Sequence, residues 1–151
     1  MNNIELTKKV RSAMYCQCRR RGYAAPVDVL MEIGVLSKSE YEDWRFGRIP
    51  YLESVCHINL HKLSFIMHQM RVYAKNNGLK TSFCCYKQWG VNVKKKNGQG
   101  RKPVIQLRFS KSRNPEVEKW YSTHFVDAKR IKKLKSAKES KTVESAEVTE
   151  P

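Results

Sequence analysis

Between Glu53 and Glu116 the chain has no aspartate and no glutamate, while thirteen lysines and arginines fall in the same stretch. A surface tuned only for solubility mixes charges of both signs. A run this long without a carboxylate leaves its positive field uncompensated, and such a field attracts and steers phosphate backbones. Long hydrophobic runs are missing too. No stretch approaches about eighteen apolar residues without a charge, which excludes a transmembrane helix and argues against a membrane partner. Met1 to Met14 carries Glu5, Lys8, Lys9 and Arg11 where a secretory signal needs an apolar segment, so a cytoplasmic protein is expected. The five cysteines lack the regular spacing of a disulfide framework and suit a reduced compartment.

Metal and catalytic patterns are equally sparse. Cys16 and Cys18 stand one residue too close for a zinc knuckle, and no second cysteine pair has ligand spacing. His57, His61 and His68 lie near one stripe of a candidate helix, but no acid follows Glu53 there. The zinc-protease motif is therefore missing, and these histidines read as a polar solvent face. A Ser112, His124, Asp127 set can be assembled, as it can in any chain of this size, and carries no weight. A metal-dependent nuclease needs clustered carboxylates, available only from Asp28, Glu32, Glu40, Glu42, Asp43 and Glu53 or from beyond residue 115. Neither an enzyme activity nor a cofactor is expected.

What the chain does have is enough apolar content to fold: 40% of its 151 residues are hydrophobic, under a net charge of +16. We expect one basic domain over residues 1–135. The segment from 136 to 151 has almost no apolar residue and is expected to be a disordered tail.

Leu6, Val10, Ala13, Met14 and Gln17 recur at helical spacing and predict a helix from Asn3 to Arg21, stopped by Gly22. Arg19, Arg20 and Arg21 at its end complement the helix dipole and are also placed to meet phosphate. Pro26 opens a short helix, Val27 to Ile33, before Gly34, and Ser37-Lys38-Ser39-Glu40 is a capping box for the next. In that helix Tyr41 and Trp44 face the core, Arg45 is spaced to pair with Glu42 or Asp43, and Arg48, past Gly47, is freer to meet a phosphate but is assigned no role. Pro50 starts a long helix to about Asn77, with Leu52, Val55, Cys56, Leu60, Leu63, Met67, Met70 and Ala74 as its apolar stripe.

Beyond Gly78, Thr81 or Ser82 caps a short helix through Trp89. Val91–Val93 and Val104–Phe109 read as two strands joined by a basic tip, Lys94 to Lys102. Asn114-Pro115-Glu116 opens a final helix that continues toward Ile131 and Leu134. The fold class is α+β, mainly α.

Two places have helix-turn-helix spacing. Val27 to Arg48 carries Glu40, Glu42 and Asp43 on its second helix, which phosphates would repel, and is read as core scaffold. Ala74, Gly78, Leu79 and Cys84 set out a second candidate, whose acid-free second helix leads into the basic hairpin, the order of a winged helix. On this reading Thr81, Ser82 or Tyr86 supplies sequence preference. Lys94, Lys95, Lys96, Arg101 and Lys102 contact phosphates, and Lys87, Arg108, Lys111 and Arg113 extend the basic face. Tyr86 and Trp89 would stack on bases if exposed, although Trp89 reads better as core.

The stretches GVLSKSEYEDWRFGRIPYLE and RFSKSRNPEVEKWYSTHFV resemble segments of a set of small basic bacterial proteins of unassigned activity, a likeness covering about residues 12–126. The resemblance implies a single domain and a bacterial cytosolic origin, and carries over no catalytic or binding residue. The expected function is nucleic-acid binding, with double-stranded DNA ahead of structured or ribosomal RNA. A nuclease and a protein-binding adaptor are the rival classes.

Overall fold

A computed structural model describes residues 2–90 and 105–137. Helix α1 (Asn3–Arg21) has the predicted bounds: Asn2 accepts the Glu5 amide on its side chain, and Gly22 ends the helix in left-handed backbone. Its predicted stripe is buried, and it packs along α4 (Leu60–Asn76), which contributes Leu63, Ile66, Met67, Met70 and Ala74. Gln17 lies inside this core with both ends of its amide satisfied. It donates to Glu32 and accepts from Arg21 and from the Ala25 amide, joining α1 to α2 (Pro26–Glu32).

Ser37 caps α3 (Lys38–Arg45) by accepting the Glu40 amide, and its hydroxyl also meets the Glu40 carboxylate, as the capping box predicts. Trp44 on this helix is fully buried. The expected long helix from Pro50 is two elements, a 3-10 turn Leu52–Val55 and then α4. The break has local causes. Cys56 is extended, the His57 amide bonds the Val35 carbonyl, and the Asn59 side chain starts a new helix by accepting the Lys62 amide. Leu60, counted in the predicted stripe, is therefore exposed at a helix start, whereas Ile66 is core.

Gly78 stops α4 as expected, but no helix follows. Lys80–Phe83 is strand β2, paired antiparallel with β3 (Thr123–Val126), which also pairs with β1 (Tyr23–Ala24) to give the order β1-β3-β2. Thr81, Ser82 and Phe83 have β-favouring neighbours across the ladder, and that pairing overrides the local capping signal. The next residues bond to distant carbonyls: the Cys84 amide to Ser122, Gln88 to Ile105 and Trp89 to Arg45. The expected second helix of a helix-turn-helix is thus absent, and with it the winged-helix order.

Helix α5 (Pro115–Ser122) starts at the Asn114 cap as predicted but ends at Ser122, where β3 begins; a separate helical stretch occupies residues 128–137. Between β2 and α5, Lys87 and Gln106 form an isolated antiparallel bridge, so the described base of the expected hairpin pairs 86–88 with 105–107. Val91–Val93, the tip from Lys94 to Lys102, Val104 and the tail beyond residue 137 lie outside the described residues.

The extended segment from Arg108 to Lys111 crosses the centre of the fold. The Trp44 indole and the Leu52 amide donate to the Arg108 carbonyl. Glu118 accepts the Phe109 and Ser110 amides, and Glu53 accepts the Lys111 amide and the Tyr121 hydroxyl. Phe109 is thereby held against Trp44, Tyr86 and Tyr121.

Gly22 and Gly34 both adopt positive φ, but an added Cβ would overlap the Ile131 side chain at Gly22 and meet nothing within 4 Å at Gly34. Gly34→Ala should cost about 1–2 kcal/mol of left-handed strain. Gly22→Ala should lose about 1–3 kcal/mol more through overpacking. Urea unfolding measures both; equal losses, or no recovery of the excess in an Ile131→Ala background, would contradict this packing.

Candidate nucleic-acid interface

Most carboxylates of the described residues are turned to internal work. Asp28 pairs with Arg21 at 2.6 Å, Glu32 holds Gln17, Asp43 pairs with Arg48 at 3.0 Å and Asp127 accepts the Arg130 amide. Glu53 and Glu118 anchor the central segment, and Glu40 meets His57 at 2.5 Å, which holds its carboxyl below the usual range. Lys75, Lys80, Lys87, Lys111 and Arg113 are exposed, as are Arg19 and Arg20 at the end of α1. Apart from Arg21 and Arg48, which are paired, the charge imbalance of the sequence therefore reaches the surface.

Not every predicted contact is available. Tyr86 is 7% exposed; it sits among Trp44, Phe109 and His124 and shares a 3.0 Å hydrogen bond with the His124 Nε2. It cannot reach a base. Arg108 is half-buried, its guanidinium donating to the Ser110 and Lys111 carbonyls above the Tyr51 ring, so it secures the central extended segment. Thr81 and Ser82 are exposed, but on edge strand β2 and not on a helix that could enter a groove of DNA. Lys87, Lys111 and Arg113 remain exposed as expected; Lys94, Lys95, Lys96, Arg101 and Lys102 lie outside the described residues.

Arg45 on α3 does not take the expected acidic partner, and Arg48 beyond the helix does. Arg48 pairs with Asp43, and Arg45 lies over the rings of Trp89 (4.5 Å) and Tyr86 (5.2 Å). Trp89, expected in the core, is 39% exposed and packs edge-on against Tyr41 and Phe46.

A groove of about 500 Å³ opens between α4, β2 and α5. Met67, Met70, Ala74 and Phe125 form its apolar floor, and its rim carries Arg71, Lys75 and Lys119 against a single acid, Glu116. Cross-strand register places Thr81 opposite Phe125 and Phe83 opposite Thr123, all four on the groove side. The Arg71 guanidinium lies 4.6 Å over the Trp120 ring with its Nη1 buried and without a hydrogen-bond partner, and burial lowers its pKa while Glu116 opposes that shift. Lys119 Nζ stands 5.0 Å over Phe83, whose ring is 61% exposed. Of the predicted contact residues that are described, only Thr81 lines this groove. The four-residue spacing of Arg71 and Lys75 was the one local hint of it.

Burial pushes the Cys18 thiol up to about 11 and that of Cys56 to about 12, away from reactive thiolate. Among the described residues no group of three His, Cys, Asp or Glu side chains is placed to hold a metal ion. No helix of the described residues is long and apolar enough to cross a membrane. Searches of protein-family models, curated proteins and solved structures find no match to this chain.

His124 stacks on Tyr23 (5.7 Å), and burial lowers its pKa; nearby Asp28 opposes the shift and Arg21 adds to it. The unfolded chain then takes up a proton near pH ~6.5 that the folded one resists. This contribution to stability is full above that pH, is lost as pH falls through it, and levels off below the folded pKa. His124→Phe, which keeps an aromatic ring against Tyr23, should shrink the acid-side drop in the urea midpoint. An unchanged drop would assign it to other groups.

Proposed function

We propose that this protein binds nucleic acid, with duplex DNA as its target, through phosphate contacts spread over its positive surface. One observation carries the reading: among the described residues Glu53 and Glu118 are committed to backbone amides and Glu32 to Gln17, while the lysines other than Lys62 are exposed. By sequence, Lys94 to Lys102 adds five more cations and no acid. Phosphate contact of this type supplies affinity and orientation without base readout.

The corrected elements limit the mode of binding. With Thr81 and Ser82 on a strand and Tyr86 in the core, no described helix offers these residues to a major groove, so the reading is of sequence-independent binding. A bacterial cytoplasmic setting belongs to the same proposal. Its support is that all five cysteines are free, as a reducing compartment would keep them.

A salt titration tests the proposal. Duplex affinity should fall at least about a hundredfold between ~50 and ~200 mM salt, with little dependence on base sequence. Lys87→Gln and Lys111→Gln should each reduce the slope of log K against log salt by about 1. A flat salt response, or no binding at low salt, removes the reading; tighter binding of folded RNA in competition would move the target from DNA to RNA.

A further inference from the structure

The groove between α4, β2 and α5 differs from the rest of the basic surface because it joins cations to exposed aromatic area. Its rim has three cations and one acid, and its walls hold Trp120 and the largely exposed Phe83. A flat patch of lysines suffices for phosphates. It does not account for a half-buried guanidinium laid over the Trp120 ring at the rim, or for the apolar Phe83 ring left 61% exposed beside it. A ligand that fits both must carry an anionic oxygen to reach Arg71 and a flat apolar body to cover Phe83 and the methionine floor. A nucleotide has these two parts, and single strands are held by aromatic stacking inside a basic groove. The volume of about 500 Å³ suits one such unit, whereas a base-paired duplex keeps its base faces stacked on one another and cannot present them.

We propose that this groove takes an unpaired nucleotide of a bound strand, its base stacked at Phe83 and its phosphate held by Arg71, Lys75 and Lys119. The inference rests on the nucleic-acid reading above and adds a preference for targets with a single-stranded segment. Thr81, at the groove edge, is placed beside the sugar–phosphate chain and is not a base reader.

The test uses the full chain with three fluorescent probes in low salt: a blunt DNA duplex, the same duplex with an oligothymidylate overhang, and oligothymidylate alone. The wild type should favour the overhang over the blunt duplex by about tenfold, the scale of one stacked base. Phe83→Ala and Lys75→Gln, both at exposed positions, should abolish that preference, and Phe83→Ala, which removes no charge, should leave blunt-duplex binding within about twofold. Equal affinity for overhang and blunt duplex, untouched by either variant, would overturn the groove assignment while leaving surface phosphate binding intact. Failure of the wild type to bind any probe at low salt would overturn both. Free thymidine monophosphate competing as well as the oligonucleotide would also overturn it, making the groove a small-molecule site.

Discussion

The structure depends on how four consecutive residues, Arg108 to Lys111, are satisfied in the middle of the protein. An extended chain with no neighbouring strand to ladder against must find partners for every amide and carbonyl elsewhere. Here two carboxylates take three successive amides, an indole and a backbone amide share the Arg108 carbonyl, and the Phe109 carbonyl receives the Glu53 amide. Hydrogen bonds to charged acceptors contribute more than neutral ones, about 1.5–3 kcal/mol each. The arrangement draws the 3-10 turn, α3 and α5 onto one strand and fixes Phe109 among three other aromatic rings. Burial raises the pKa of Tyr121, whose hydroxyl stays protonated and donates to Glu53.

That same arrangement shapes the electrostatics. A carboxylate committed to backbone amides in a half-buried setting is weakly available to surface lysines. Each acid used as an internal acceptor thus serves the fold and leaves the outer field more positive. Ionic strength separates the two effects: exposed charges are screened over about 8 Å at physiological salt, whereas partly buried hydrogen-bonded acids are screened much less. Folding and polyanion capture are in this sense supported by opposite placements of charge within one chain.

The sequence was most readable where the cues were local. Gly22, Pro26, Ser37, Gly47 and Asn114 mark element ends by local chemistry that needs no distant partner, and each stands where the chain turns. Leu6 to Gln17 declared a buried face because helical periodicity alone determines it. It failed where a tertiary partner decided the outcome. Lys80–Phe83 has candidate capping residues in Thr81 and Ser82 and lies in helix-turn-helix spacing after Gly78, yet becomes a strand because β3, some forty residues later, supplies the ladder. Tyr86 and Arg108 read as surface groups because nothing nearby in sequence announces His124 or the carbonyls they serve. The groove was invisible for the same reason: Arg71, Phe83 and Trp120 lie on three separate elements.

The strand order has a consequence for how the molecule is made. β3 is the central strand, yet it is the last of the three to leave the ribosome, so β1 and β2 have no partner until Thr123–Val126 emerges. α1, α2 and α3 rely largely on local signals and can form early. The sheet instead closes loops spanning most of the chain and must assemble late. Until then the nascent chain carries an exposed strand edge and an unfilled aromatic core, the period in which a polypeptide of this topology is most open to aggregation or chaperone capture.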